Sequence, residues 1–408
     1  METIVFGLCL RLFAVFGSET CRLEPSWEAL LVGGEQRFTT IVECWFRRSH
    51  GLRLENMQCT YPTGELLLHP LLSLTAGTVP PPVVLGLVGL LAQLGVCVLL
   101  RWYEKHTGVE GYSWTIYWLN PALVISLAAS PLPSINHLLL SCLWASVAAF
   151  PPAYIVDSLS AQRKRLLKVC LSFFCLVWLV LTHFPFVCLV PSWLALSRRQ
   201  LFNSTSSVTC WTDCESTAVF AVAFYWIIHG LGEPHTLPFA WSGLSLSSTR
   251  AGLTYTPGAG VHWYLNAQID PFLSPYFELL GLAQPFLFVL PMLLLVAPRD
   301  PVLALHVTVA VVVAGAPKTN FTDVLWIISL LALHPRVTRR MRPWLCAIVA
   351  LCMTVPAVAS PALLSLWLEL GTGNANFLFF QGLAMWMAGN AGIAEFIASA
   401  KEQDKDIE

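Results

Sequence analysis

Tyr255–Pro291 reads YTPGAGVHWYLNAQIDPFLSPYFELLGLAQPFLFVLP. A turn carrying Pro257, Gly258 and Gly260 runs into His262, Trp263 and Tyr264. From Phe277 the chain turns apolar, with Glu278 the one charge before Arg299. Trp and Tyr favour headgroup depth in a bilayer, and here they precede a stretch of hydrocarbon length. Taken alone, this stretch has two readings. One is an ordinary loop-to-helix junction with an aromatic belt, and the other is a site at the membrane interface.

Composition decides the class. Of 408 residues, 56% are hydrophobic and 12% charged, and the mean hydropathy is +0.65. That is about half the charge fraction of a soluble domain. The chain therefore reads as an all-α polytopic membrane protein, a single integral membrane domain over residues 1–408. A net charge of -1 gives no global field that would draw in nucleic acid or acidic substrates. Cys9, Cys97, Cys142, Cys170, Cys175, Cys188, Cys346 and Cys352 lie in apolar runs, where a thiol behaves as a small hydrophobe. Cys21, Cys44, Cys59, Cys210 and Cys214 lie in polar loops. Their odd number leaves at least one unpaired, or paired with another chain, if that side is oxidising.

Working outward, about ten transmembrane helices are expected. Met1–Gly17 carries Arg11 and reads as a retained first span rather than a signal peptide, because no clean small-x-small site follows it. The next spans are Pro82–Leu100, Trp114–Ser130, Ile135–Val156, Val169–Trp193 and Phe277–Pro298. Val302–Ala316 and Val324–His334 are short for about 20 residues of hydrocarbon, so they tilt little or lie inside the bundle. Trp344–Trp367 and Phe377–Ala400 complete the set, before a charged tail at 401–408.

Arg101 and Lys105, Arg163–Arg165, and Arg336, Arg339, Arg340 and Arg342 then fall on one side, which the positive-inside rule makes the cytosol. The loops 18–82 and 198–275 become two large luminal loops. The glycosylation candidates Asn203, in Asn203-Ser-Thr205, and Asn320, in Asn320-Phe-Thr322, land on the luminal side too. Thr217–Gly230 would invert everything after it if it crossed once, so it reads as an interfacial or re-entrant helix.

A large first luminal loop suggests the lipid-phosphosugar glycosyltransferases, which need a carboxylate there as base or metal ligand. This chain has no Asp before Asp157, and Glu28, Glu35, Glu43, Glu55 and Glu65 stand unpaired. No nucleophile motif or metal-ligand spacing is present, and Cys210 and Cys214 do not make a CxxC pair. No catalytic residue, metal or cofactor is therefore assigned. What stands out is polar residues at membrane depth: Asn120-Pro121, Asn136-His137, Asn390, and Gly371-Thr-Gly-Asn-Ala-Asn-Phe377. Such groups are costly unless partnered. Helix–helix hydrogen bonding explains Asn120 and Asn390 as well as binding does. For Asn374 and Asn376, on a glycine-flexed turn, a polar headgroup is the better explanation.

At these residues the chain resembles the PIG-U family. Tyr117-Trp-Leu-Asn-Pro121 with Ser134-Ile-Asn136 resembles its Leu-Asn-Pro…Ile-Asn element. Thr256-Pro257, Gly260 and Trp263-Tyr264 are similar to its Leu-Thr-Pro-Asn-Ile-Gly-x-x-Trp-Tyr-Phe-Phe segment, and Asn374-Ala-Asn376-Phe377 to its Ala-Asn-Ser-Asn-Phe-Phe segment. The resemblance implies a glycosyltransferase-like (GT-C type) architecture and a non-catalytic membrane subunit of the glycosylphosphatidylinositol (GPI) transamidase in the endoplasmic reticulum. Its implied partners are a cysteine-protease-like catalytic subunit, further membrane and luminal subunits, and the GPI lipid. It places Asn374 and Asn376 against that lipid, and Phe377 with the aromatic run His262, Trp263 and Tyr264 is expected to form the facing wall at the same depth. Asn120, Pro121, Asn136, Pro257 and Gly260 are its structural motif residues. The family's acid after the aromatic run is replaced here by Gln268. A dolichol-phosphate-mannose-dependent mannosyltransferase of the same architecture is the alternative. A transporter would need ionisable residues within the spans, which read as almost free of them.

The orientation predicts that a cysteine replacing Arg339 reacts with an impermeant maleimide only from the cytosol, and one replacing Asn374 only from the lumen. Labelling of position 339 from the lumen alone would invert the second half of the map.

Overall fold

The computed structural model describes residues 2–17, 38–50, 67–75, 78–108, 111–148, 159–182, 188–202, 258–270, 300–315 and 320–405, with isolated residues between them. These residues are 86% helical and contain no strand. In chain order the helices are α1 (Glu2–Gly17), α2 (Phe38–Ser49), α3 (His69–Thr75), α4 (Pro81–Thr107) and α5 (Ser113–Leu119). There follow α6 (Pro121–Ala129), α7 (Leu132–Ala148), α8 (Leu159–Thr182), α9 (Leu189–Phe202) and α10 (His262–Gln268). The last five are α11 (Pro301–Gly315), α12 (Phe321–Leu331), α13 (Pro335–Thr338), α14 (Pro343–Leu368) and α15 (Ala375–Lys405). Thr217–Gly230 and most of Phe277–Pro298 lie outside the described residues.

Three of these helices, α4, α14 and α15, are long and apolar enough to cross a membrane. Shorter apolar helices pack among them. Of the two expected short spans, Val302–Ala316 lies inside: in α11 nearly every residue is buried. By contrast, α14 turns a stripe outward, Trp344, Ile348, Leu351, Val355 and Val358, at the spacing of one helix face.

Two expected spans are not single helices. The segment Val169–Trp193 is divided: α8 is described to Thr182 and α9 from Leu189, and Phe186 and Cys188 between them are not α-helical. A proline disfavours helical geometry in the residue before it, so an apolar run through Pro185 does not ensure a continuous helix. The segment Trp114–Ser130 is broken at Asn120. There the Asn120 Oδ1 accepts from the Ala122 amide at 3.0 Å and Pro121 takes the first helical position of α6. Both are favoured N-terminal choices.

That break has a distant consequence. The Ala122 amide, which in a continuous helix would donate to the Trp118 carbonyl, is taken by Asn120. The Trp118 carbonyl instead accepts from Arg11 Nη1 at 2.7 Å. Arg11 is fully buried, its guanidinium 3.8 Å from the centre of the Trp118 ring, and its Nε donates to Gln93 Oε1 at 2.7 Å. The Gln93 amide then donates to the Leu123 carbonyl at 2.8 Å and the Ser134 hydroxyl at 3.0 Å. One polar chain therefore joins α1, α4, the α5–α6 break and α7.

The inward stripe of α1 is Gly7, Arg11 and Val15, while Phe6, Phe13 and Phe16 face outward. A Cβ on Gly7 would lie 2.1 Å from Trp118 Nε1. Gly7→Ala is therefore expected to destabilise the protein by about 1–3 kcal/mol, the usual cost of overpacking. Gly258→Ala, which meets nothing within 4 Å, is the control that leaves the thermal midpoint unchanged.

Candidate functional site

The turn between α14 and α15 is built by its glycines. Gly371 has φ 64, in the left-handed region that suits glycine. The amides of Thr372 and Gly373 both donate to the Leu366 carbonyl, at 3.0 and 2.9 Å, closing the end of α14. Gly373 lies so close to this end that a Cβ there would sit 2.8 Å from the Trp367 nitrogen. Asn374 immediately precedes α15, and its Oδ1 accepts from the Asn376 amide at 2.9 Å. Asn374 is therefore a helix cap. Its amide nitrogen has no partner among the described residues and is exposed.

Asn376 is held from across the chain. The Tyr264 hydroxyl donates to the Asn376 Oδ1 at 2.5 Å. The Tyr264 ring stacks on Phe379 with centroids 4.4 Å apart and 26° between planes. The two short motifs read separately in the sequence thus form one surface. On it are the exposed amides of Asn374 and Asn376, the Tyr264 phenol and Phe377, which is 62% exposed. The two carboxamide NH2 groups remain as donors, since their oxygens are already engaged.

Trp263 belongs underneath rather than on this wall. It is 7% exposed and packs against Trp367, ring centroids 5.7 Å apart, within a cluster that includes Leu364, Leu378 and Met385. It anchors α10 to the α14–α15 pair. The Ala259 and Gly260 carbonyls approach α15 so closely that a Cβ on Gly382 would lie 3.0 and 3.2 Å from them. His262 is half-buried, its Nε2 has no hydrogen-bond partner among the described residues, and burial pushes its imidazole below the usual value. It is neutral at physiological pH. Pro257 lies outside the described residues.

The remaining sequence candidates stand apart from this surface. Asn120 and Pro121 make the α5–α6 break, and Asn136 is on α7 with a buried Oδ1 that has no partner among the described residues. Asn390 donates to the Trp386 carbonyl of its own helix at 2.8 Å. Asn203 lies outside the described residues. Asn320 is 5% exposed and its amide donates to Asp323 Oδ2 at 3.4 Å, so a glycan does not fit there in this packing. Glu43 pairs with Arg47 one turn on along an exposed face, at 2.7 Å, the solvated role expected of a scattered glutamate. The eight cysteines of the apolar runs are free, and Cys44 is disulfide-bonded.

The spans hold more ionisable groups than their apolar sequence suggested. Besides Arg11, His137 Nε2 lies 2.9 Å from Asp323 Oδ1, and its ring stacks on Trp326 at 4.6 Å. His306 Nδ1 lies 2.8 Å from His334 Nε2, and Arg342 is paired with Glu395. None of these pairs is apparent along the chain, where the two members stand far apart. Only the fold shows them.

A protein-family model described as GPI transamidase subunit PIG-U matches residues 41–385 of the chain. No curated protein matches it.

Capping separates two roles of Asn374. Asn374→Ala is expected to cost about 1 kcal/mol through the lost cap, while Asn374→Ser restores it. Tyr264→Phe removes one hydrogen bond, about 0.5–1.5 kcal/mol. Thermal denaturation of the purified protein reads all three.

Proposed function

The chain belongs to the PIG-U family of GPI transamidase subunits, and from that premise we propose that it is a non-catalytic subunit that presents the GPI lipid at the α14–α15 turn. The supporting observation is the Tyr264–Asn376 hydrogen bond. It fixes one carboxamide beside a second and leaves two NH2 groups as donors on an exposed surface. Amide donors flanked by Phe377 suit a ligand with phosphate and hydroxyl groups above and acyl chains below. An anionic phosphate accepting such bonds gains roughly 1.5–3 kcal/mol from each.

The orientation that this role needs has its own support. The turn lies at the end of the helices opposite Arg339 and Arg342. Cys44, on α2, takes part in a disulfide, and disulfides persist where the compartment is oxidising. Helix α2 is tied to α3 by the Trp45 indole donating to Ser73 at 3.0 Å, and its Ile41 packs with Val84 and Leu85 in the first turns of α4. The opposite end of α4 carries Arg101 and Lys105. The disulfide end is then the lumen and the basic end the cytosol, in a ten-span, GT-C-like chain of the endoplasmic reticulum membrane. A catalytic subunit of the complex would supply the nucleophile, and further membrane and luminal subunits would meet the outward face of α14.

The test keeps the fold and changes the donors. Asn374→Ser preserves the cap, and Asn376→Asp preserves the acceptor for Tyr264 while placing a carboxylate where the phosphate would lie. The double variant is expected to co-purify with its partners at wild-type yield. GPI-anchored proteins at the surface of cells depending on it should fall roughly tenfold, the factor of one lost charge-assisted hydrogen bond. Full restoration of surface GPI proteins by this variant would place the lipid elsewhere.

A further inference from the structure

A cavity of about 490 Å³ lies between α12, α14 and α15, within the size range of sites that hold a small molecule, about 300–1,000 Å³. Its walls are apolar: Ile327, Leu331, Val349, Met353, Met385 and Ile393. Three of the lining residues, Met341, Met353 and Met385, are methionines, whose unbranched side chains adapt to irregular occupants. Its lining runs from Ala259 and Gly260 near the α14–α15 turn to Tyr112, Thr338 and Arg339 at the opposite end.

Arg339 is the one charged residue in this lining. It is exposed and has no acid partner among the described residues. Its neighbour Arg342, by contrast, is taken up by Glu395. An apolar slot with one guanidinium at one end, unpaired among the described residues, has the polarity of a single-tailed site. The headgroup belongs at Arg339 and the hydrocarbon beyond it.

We propose that this cavity holds an acyl chain of a glycerophospholipid drawn from the cytosolic leaflet, with the lipid phosphodiester on Arg339. The assignment rests on the orientation given above, in which the basic end faces the cytosol. A guanidinium presents a planar fork that matches phosphate oxygens in pairs. A lipid entering from the lumen would put its terminal methyl against that charge, which leaves the guanidinium unmatched. The site is therefore separate from the amide surface at Asn374 and Asn376. A lipid seated here wedges α12 and α13 against the α14–α15 pair from the cytosolic side.

The test uses the purified transamidase complex in nanodiscs of phosphatidylcholine, doped with phosphatidylcholine that carries a diazirine in one acyl chain. After illumination, adducts are located by peptide mass spectrometry. Adducts are expected on Val349, Met353 and Met385 of the cavity wall as well as on the outward Phe6 and Phe13 of α1. In Arg339→Glu the wall adducts should drop roughly tenfold, the effect of one charge-assisted bond, with the outward ones unchanged. Ile328→Trp, which fills the slot, should remove wall adducts alone. Arg339 is exposed, so its variant tests the idea even if Ile328→Trp impairs folding. Asn374→Ser should leave all labelling as it was. Wall adducts that are absent, that survive Arg339→Glu, or that vanish with Asn374→Ser would overturn the proposal. The last result would assign the cavity to the luminal lipid.

Discussion

A guanidinium inside an apolar body must find acceptors there, and the arrangement of the N-terminal half follows from how Arg11 finds them. The break at Asn120–Pro121 releases the Trp118 carbonyl from its helix, and Arg11 takes it. Gln93 accepts from the same guanidinium and passes its own amide on to Leu123 and Ser134. Charges at membrane depth are costly and persist where they pair. Remove any member of this chain and a carbonyl or a charge is left without a partner. The Asn-Pro element, which in the sequence reads equally as a binding element or as helix–helix hydrogen bonding, acts here as the device that exposes a carbonyl to a distant arginine.

The same rule ties the C-terminal half. His137 with Asp323 joins α7 to α12, Ser192 with Thr308 at 3.3 Å joins α9 to α11, and His306 with His334 joins α11 to the start of α13. Arg342 with Glu395 fastens the foot of α14 to α15. In a membrane the apolar effect does little to bring helices together, so packing and interhelical hydrogen bonds carry the association. These ties hold α14 and α15 as a pair whose far end presents the glycine turn. The Trp263–Trp367 contact then docks α10 on that pair, which is what brings Tyr264 to Asn376.

Much of this was legible in the sequence. Apolar composition gave the helical membrane class, and short apolar segments such as Val302–Ala316 were readable as interior helices. The glycine-flexed Asn374–Asn376 turn and the Trp263-Tyr264 run could each be singled out, because turn chemistry and interfacial aromatics are local signals. What sequence could not supply was pairing. Arg11, Gln93, Asp323, His306 and His334 each look solitary along the chain, and their partners lie far away in it. Nor does hydropathy register a break such as that between Thr182 and Leu189, since the residues either side remain apolar. Trp263 and Tyr264 are adjacent, yet one is a buried anchor and the other a surface donor. That distinction depends on which helix face meets α15.

The account stands or falls on whether the surface made by Asn374, Asn376 and Tyr264 touches the GPI lipid. A photoreactive benzoylphenylalanine at the exposed position of Phe377, in the assembled complex in cells, measures that contact most directly. The predicted result is a crosslinked adduct that contains the GPI glycan and inositol, released by phospholipase or nitrous acid treatment according to its chemistry. Capture at that position of ordinary glycerophospholipid alone, in cells with abundant GPI, would contradict it.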